Sequence, residues 1–410
     1  MTDDVLTTTA AAVAVPPTRK EPYGLLVAAL AAASFLQWTG AGAVLPLLPV
    51  YLVDHATPAA LIGAVMASFF ATGVAAQYLA GRLGDRVGHR PVLLFGLFGY
   101  AVFSAGFLLP FGGWLALGLR AGQGAAAGAA QVACLALVSV AVPSHVRGRA
   151  FSAVSGAELA GIAIGPMLGS LFGMDRMALL FMIAAAGALL ACIPVLASHA
   201  VPVDVEVDPE ASAEPLPRTG RAGRMVRGVM LAAVLGGVLS GAYESSWSLL
   251  MHLRGATDVQ LGLSWTLFAI PFVVAAPVAG WLADHYDRRW LVVIGMSSGI
   301  AFALLYPWLP GVAWLMGLGS FEAVGVALAY PAAQALLSDA VSEGSVGRAQ
   351  GTMASLQTAA IAVSTAAGGA LFGVSAWLPF TVAALCGLAM MVAVVWSWRG
   401  LPSRAARRPA

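Results

Sequence analysis

Asparagine is absent from this 410-residue chain, lysine occurs once against twenty arginines, and charged residues together make up only 10%. Each shortage excludes something. Without asparagine there is no acceptor for N-glycosylation. A soluble domain carries roughly 25% charged residues, so this chain has too few polar groups to cover a water-facing surface. Cys134, Cys192 and Cys386 are each isolated within an apolar run, leaving no disulfide framework and no zinc spacing. They read as small apolar fillers. No Gly-x-x-x-x-Gly-Lys-Ser/Thr loop occurs and no soluble domain could house one, which excludes an ATP-driven machine. His55, His89, His145, His199, His252 and His285 lie in loops or at the ends of apolar runs, so no embedded metal site is expected. The excess of arginine over lysine fits a GC-rich bacterial genome.

What is present is apolar length. Hydrophobic residues make up 60% of the chain. Stretches of about twenty residues, each able to cross a ~30 Å hydrocarbon layer, recur twelve times. They fall near 24–53, 58–81, 91–110, 112–142, 151–174, 177–198, 229–252, 258–282, 290–310, 312–339, 348–373 and 376–398. Lipid offers no partner for backbone polar groups, so these must be helices. The first run follows Arg19 and Lys20 as a signal peptide would, but it lacks a small-residue cleavage site and reads as an uncleaved span.

The arginines set the orientation. Arg120 lies inside a span, and only Arg176 and Arg254 fall in odd-numbered loops. Arg82, Arg86, Arg90, Arg147, Arg149, Arg218, Arg221, Arg224, Arg227, Arg288, Arg289 and Arg348 are in even-numbered loops. By the positive-inside rule both termini are cytoplasmic, which requires an even number of spans and agrees with twelve. The expected organisation is a cytoplasmic tail (1–23), a six-helix bundle (24–198), a cytoplasmic linker (199–228), a second six-helix bundle (229–398) and a cytoplasmic tail (399–410). The linker runs from acidic (Asp204, Glu206, Asp208, Glu210, Glu214) to basic (Arg218, Arg221, Arg224, Arg227) among four prolines. Its basic part could also rest on anionic headgroups.

The two bundles repeat one pattern. Gly81-Arg82-Leu83-Gly84-Asp85-Arg86-Val87-Gly88-His89-Arg90 returns as Gly280-Trp281-Leu282-Ala283-Asp284-His285-Tyr286-Asp287-Arg288-Arg289, at an offset of 280 − 81 = 199. Gly148-Arg149-Ala150 returns at the same offset as Gly347-Arg348-Ala349. Equal spacing over such a distance means duplication of one helical unit. Tandem six-helix halves with a shared site between them are the build of a rocking transporter.

Ionisable residues at membrane depth are costly and rarely face lipid. Spans three, six, nine and twelve have none and suit the outside of the bundle. Spans one, four, seven and ten carry Gln37, then Arg120 and Gln123, then Glu244, then Glu322, with Trp38, Tyr243, Trp247 and Tyr330 beside them; span five adds Glu158. At 1.5 Å per residue, Arg120, Glu244 and Glu322 all lie about 12–15 Å from the outer surface. Glu158 lies about 10 Å from the opposite one. The offset pairs Gln123 with Glu322. Low dielectric favours the uncharged form of any carboxyl, the property a proton carrier needs. Glu244, Glu322 and Glu158 are therefore candidates for proton coupling, for anchoring a cationic substrate, or for both.

These motifs resemble the major facilitator superfamily over nearly the whole chain. Its Gly-x-Leu-x-Asp-Arg-x-Gly-x-Arg loop is met by Gly81, Leu83, Asp85, Arg86, Gly88 and Arg90. The resemblance implies that Asp85 engages a helix N-terminus in the other half and holds the cytoplasmic gate, where a helix dipole would stabilise it. The second copy keeps Gly280, Leu282, Asp284 and Arg289 but has Asp287 in place of Gly88. Arg120-x-x-Gln123-Gly124 looks like the span-four motif whose arginine is implicated in proton transfer. Gly161-x-x-x-Gly165-Pro166-x-x-Gly169 is similar to the antiporter motif of twelve-span drug:proton exchangers. Small residues at this spacing admit close helix approach, and Pro166 would bend the axis. The second half has Ser364 and Thr365 at the Gly-Pro positions. Leu45-Pro46-Leu47-Leu48-Pro49 resembles the proline-rich end of span one in the same exporters, although the coupling acid some of them carry in that span is missing.

The resemblance implies an all-α integral membrane fold of twelve helices in two pseudo-symmetric bundles. It implies proton-coupled efflux of drug-like amphipathic compounds, cationic ones among them. The alternatives are a proton symporter importing a small metabolite and, more remotely, a receptor without turnover. Gly295-Met296-Ser297-Ser298-Gly299 formally fits a nucleophile elbow, but it lies in a helix with no histidine at that depth, so no enzyme is expected. The expected partners are a small-molecule substrate, protons and the bilayer of a bacterial inner membrane. No nucleic acid, no cofactor and no metal is called for, and a monomer is expected.

Overall fold

The computed structural model describes residues 22–142, 144–198, 216–342 and 345–401. Nearly all of the expected amino-terminal tail, the acidic part of the linker and the carboxyl-terminal tail beyond Leu401 lie outside the described residues.

Thirteen α-helices are described and, among the described residues, no strand. The first half contains α1 (Pro22–Val44), α2 (Leu48–Asp54), α3 (Ala59–Val87), α4 (His89–Gly106), α5 (Gly113–Ala141), α6 (Ser144–Phe172) and α7 (Met177–Ala197). The second contains α8 (Gly220–Leu253), α9 (Asp258–His285), α10 (Arg288–Leu305), α11 (Val312–Ala340), α12 (Val346–Val374) and α13 (Leu378–Trp398). Among the described residues, eleven spans are long and apolar enough to cross a membrane. The twelfth expected span is α4, whose 18 residues begin with His89 and Arg90 and are less apolar for it.

Two expected boundaries are corrected. Span one is interrupted: a turn at Leu45–Leu47 separates α1 from α2. Pro46 and Pro49 supply no backbone N–H and disfavour helix in the residue before them. Span seven begins at Gly220 rather than 229, so Arg221, Arg224 and Arg227 are on the first turns of α8 and not in a linker. At 1.5 Å per residue the 34 residues of α8 run about 51 Å, well beyond the hydrocarbon layer.

The packing follows the repeat. Helix α1 lies against α6 and α7 as α8 lies against α12 and α13, and α5 receives α3 and α4 as α11 receives α9 and α10. The halves join through α3 with α12 and α6 with α9. That junction is one-sided. At the face opposite the arginine-rich loops, one apolar core runs through both halves, joining Leu48, Ile62, Phe69 and Phe181 to Trp247, Leu250, Leu261 and Tyr306. At the arginine-rich face each half keeps its own core, Leu30, Leu97 and Val138 in one and Val229, Val292 and Leu337 in the other.

Close contacts complete the seal at the face opposite the arginine-rich loops. A Cβ on Gly63 would lie 2.7 Å from Gly369 Cα. Gly262 of α9 packs on the Pro166 carbonyl and Ser170 of α6. Thr266 Oγ1 donates to the Ala163 carbonyl at 2.8 Å, and Met174 N donates to Asp258 Oδ2 at 2.8 Å. The His252–Asp54 pair (3.8 Å) also crosses the halves, but both side chains are over a third exposed. Such pairs contribute about 0–1 kcal/mol, so backbone-close packing and the shared core hold this face shut.

The glycine-proline run of α6 makes its close approach within the first half, against α1. Added Cβ atoms at Gly161 and Gly165 would stand 2.8 Å from the Phe35 carbonyl oxygen and 2.5 Å from that of Thr39, and one at Gly169 would strike the Ala43 carbonyl. The second half achieves equal closeness from the other partner. A Cβ added to Gly241 of α8 would stand 2.5 Å from the Ile361 carbonyl oxygen. Ser364 then donates to the Val238 carbonyl at 2.6 Å.

Candidate functional site

The structure divides the expected cavity residues into two groups. The first is central and toward the sealed face. Glu322 of α11 is 3% exposed, and both carboxylate oxygens are engaged. Tyr243 Oη donates to Oε1 at 3.0 Å and Tyr306 Oη to Oε2 at 2.5 Å. Tyr306 was not anticipated. It belongs to a short 3-10 turn, Tyr306–Trp308, beyond the end of α10, a helix expected to contribute only a lipid face. Trp247 closes on it with ring centroids 5.0 Å apart and donates its indole N–H to Ser264 Oγ at 3.0 Å.

Glu244 is on α8 next to Tyr243, and one buried carboxylate oxygen has no hydrogen-bond partner. A cavity of about 160 Å³ opens between the two acids, lined also by Ser240, Tyr243, Trp247, Trp265, Phe268 and Tyr306. An aromatic chamber with two convergent carboxylates suits a flat or cationic amphiphile.

Across the halves from Glu244 stands Arg120, 3% exposed. The two attract electrostatically. Arg120 Nη1 donates to Gln123 Oε1 at 3.0 Å, and its guanidinium lies over the Phe69 ring, 4.4 Å from the centroid. Gln123 Nε2 in turn donates to Ser104 Oγ at 2.9 Å. The repeat-related pair thus behaves alike: Gln123 is braced from α4 and Glu322 from the turn after α10.

The second group lies nearer the arginine-rich face. Glu158 Oε1 accepts from Gln131 Nε2 at 3.0 Å, and Gln131 Oε1 accepts from Gln77 Nε2 at 3.1 Å. Gln37, Trp38 and Glu158 share a crevice of about 10 Å³, room for roughly one water and no substrate. Tyr330 is 48% exposed and has Glu158 as its electrostatic neighbour rather than Glu322. Gln37, Trp38, Glu158 and Tyr330 are therefore apart from the Glu244–Glu322 chamber. Nothing at sequence level marked Gln131 or Gln77 as members.

At the gate, the implied contact of Asp85 is not formed. Its side chain is 73% exposed, and its ion-pair neighbour is His89 on its own turn, 3.6 Å away. The cause is the one-sided junction: the arginine-rich ends of the halves share no core. Asp284 is 70% exposed and pairs with Arg288 at 3.4 Å, the counterpart of His89. Gly81 and Gly280 have open space around them, and Arg86 is exposed.

Arg90 and Arg289 are fixed. Arg90 donates to the carbonyls of Val195, Leu196 and Ser198 at the end of α7, and Arg289 to that of Leu401 after α13. The Gly88–Asp287 difference has a backbone cause. Gly88 has φ +91°, which favours glycine, whereas Asp287 has φ −69° and caps α10 through its carboxylate.

Burial alone would raise the Asp287 carboxyl, but hydrogen bonds from the Arg289 side chain and backbone outweigh it and hold it below the ordinary value of 3.8. A depressed folded value means a contribution present above the ordinary value and lost as pH falls through the folded one. Asp287→Ala should therefore cost about 1 kcal/mol at neutral pH, read as a lower apparent unfolding midpoint. The gap should close on acidification below pH 3.8; a pH-independent gap would contradict this role.

Comparison with known proteins places the architecture. A sequence model of the Major Facilitator Superfamily matches residues 30–250 and 228–410. The chain belongs to that superfamily, and so is a multi-pass membrane transporter. It is 26% identical over 338 residues to the tetracycline resistance protein, class H, of Pasteurella multocida, covering 77% of this chain and 81% of that one. It is 28% identical over 344 residues to the class E protein of Escherichia coli, covering 78% and 82%. Its fold is that of the nucleoside transporter NupG (D323A mutant), with a TM-score of 0.73 at 16% identity over 91% of this chain and 100% of the other.

Proposed function

We propose that the protein exports drug-like amphipathic compounds, including cationic ones, in exchange for protons. The observation that carries this reading is a buried carboxylate, Glu322, hydrogen-bonded by two tyrosines and opening on the same chamber as the unsatisfied Glu244. A proton and a cation compete for such a site, because either one reduces the negative charge that attracts the other. Glu322 carries the proton. Glu244 anchors the substrate cation and returns to Arg120 when the site is empty.

The arginine-rich face is the cytoplasmic face, with both termini on it, in a bacterial inner membrane. The structure is then the cytoplasm-facing state, closed outside, from which substrate loads. Exposed Asp85 and Asp284 form the gate that closes when the halves rock the other way. The working unit is the monomer, since each half supplies part of the site. Similarity to the tetracycline resistance proteins supports the direction of transport.

Inverted vesicles carrying the protein should accumulate a fluorescent amphipathic cation when a proton gradient is imposed, and release it when the gradient is dissipated. Accumulation that ignores the gradient would rule out proton coupling. Gradient-driven movement in the opposite direction would favour the symporter.

A further inference from the structure

Two adjoining cavities open at the arginine-rich end of the second half, away from the transport chamber. One of about 290 Å³ lies among the ends of α8, α10, α11 and α13. The other, of about 210 Å³, lies between the start of α10 and the end of α13. Arg289 and Leu401 line both, so the two form one groove.

Its charges are unequally used. Arg288 is taken up by Asp339 (2.7 Å) and Asp284 (3.4 Å), and Arg289 by Asp287 (2.5 Å). Arg221 lines the first cavity and Arg399 the second; both are exposed, and neither side chain has a partner among the described residues. Four arginines against Asp287 and Asp339 leave the lining at 4 − 2 = +2.

The second cavity continues onto an apolar face. Trp290 (65% exposed) and Val395 (45%) flank it, and Trp398 is locked beneath by its indole N–H donating to the Met225 carbonyl at 3.3 Å. Arginines that only set orientation need neither a cavity nor an apolar continuation. The first half has no equivalent, since the offset places Pro22 at Arg221 and Pro91 at Trp290.

We propose that this groove binds one anionic phospholipid of the adjoining leaflet. Its phosphate sits where Arg221 and Arg399 reach the shared opening, and an acyl chain runs along Trp290 and Val395. Unpaired guanidinium groups supply charge-assisted hydrogen bonds to phosphate oxygens, and interfacial tryptophan beside a basic pocket suits a headgroup at that depth.

The test uses the full-length protein in detergent and follows its apparent unfolding midpoint during titration with phosphatidylglycerol, phosphatidylcholine or inorganic phosphate at fixed ionic strength. Phosphatidylglycerol should raise the midpoint and the other two should not. Arg221→Gln/Arg399→Gln, which removes two side chains without structural partners, should weaken that response by roughly tenfold or more. Arg176→Gln, on the opposite face, should leave it unchanged. Quenching of tryptophan fluorescence by chain-brominated phosphatidylglycerol should fall in Trp290→Phe. Equal response to phosphatidylcholine, full response to phosphate alone, or an unaltered double variant would each overturn the assignment.

Discussion

Glu322→Gln is expected to lower gradient-driven accumulation in inverted vesicles by about 5- to 150-fold, the usual span of a coupling free energy between two sites. Glutamine keeps the shape and still accepts from Tyr306 or Tyr243, so the chamber persists. It cannot take up and release a proton, and the link to the gradient goes with that property. Exchange of substrate down its own gradient should survive, which separates a coupling defect from misfolding. Glu244→Gln should behave differently. It leaves Arg120 without its cross-half attraction and removes the free carboxylate oxygen, so the half-saturating concentration for cations should rise while neutral substrates are spared. Normal accumulation in both variants would remove the assignment.

Gly63→Val is expected to abolish turnover by a different route. The first added carbon would meet backbone rather than a movable side chain, at 2.7 Å from Gly369 Cα and 3.0 Å from the Ala366 carbonyl. Overpacking of this kind costs about 1–3 kcal/mol, comparable to the few kcal/mol that separate two conformations of one protein. The closed outer face should therefore lose its advantage by roughly tenfold or more. A cysteine at Leu261, fully buried here, reports the change in a background with Cys134, Cys192 and Cys386 replaced. It should react roughly tenfold faster or more with an impermeant reagent added outside when Gly63 is valine. Unchanged labelling with unchanged transport would mean that α3 and α12 do not close the outer face.

Much of this was legible from residue order, for physical reasons that differ by feature. Lipid forces whole helices, so apolar length reported the spans, and arginine placement reported their alternation. Depth along a helix is arithmetic, which is why Arg120 and Glu244 were placed together and Glu158 apart. Rotation about a helix axis is another matter. In lipid an outward leucine and an inward one are equally content, so the pattern of Gln37, Trp38 and Tyr330 gave membership of a span but not the direction each faces. Tyr306 was hidden because span nine, 290–310, reads as an outer helix without ionisable residues, whereas the chain turns after Leu305 and brings this residue inward. Which helix contributes the closest glycine was hidden too: the repeat showed that α12 has Ser364 and Thr365 at the Gly-Pro positions, and only packing showed Gly241 of α8 against the Ile361 carbonyl.

The arginine clasps bear on how the molecule is made. Arg90 ties the start of the third span to the last carbonyls of the sixth, and Arg289 does the same for the ninth and the end of the twelfth. Each knot closes its own bundle and asks nothing of the other. The clasp of the first bundle can thus close once residue 198 has left the ribosome, whereas the apolar core that it shares with the second half forms only when that half arrives. Assembly is then a two-stage affair, each clasp local to its own bundle and the shared core common to both.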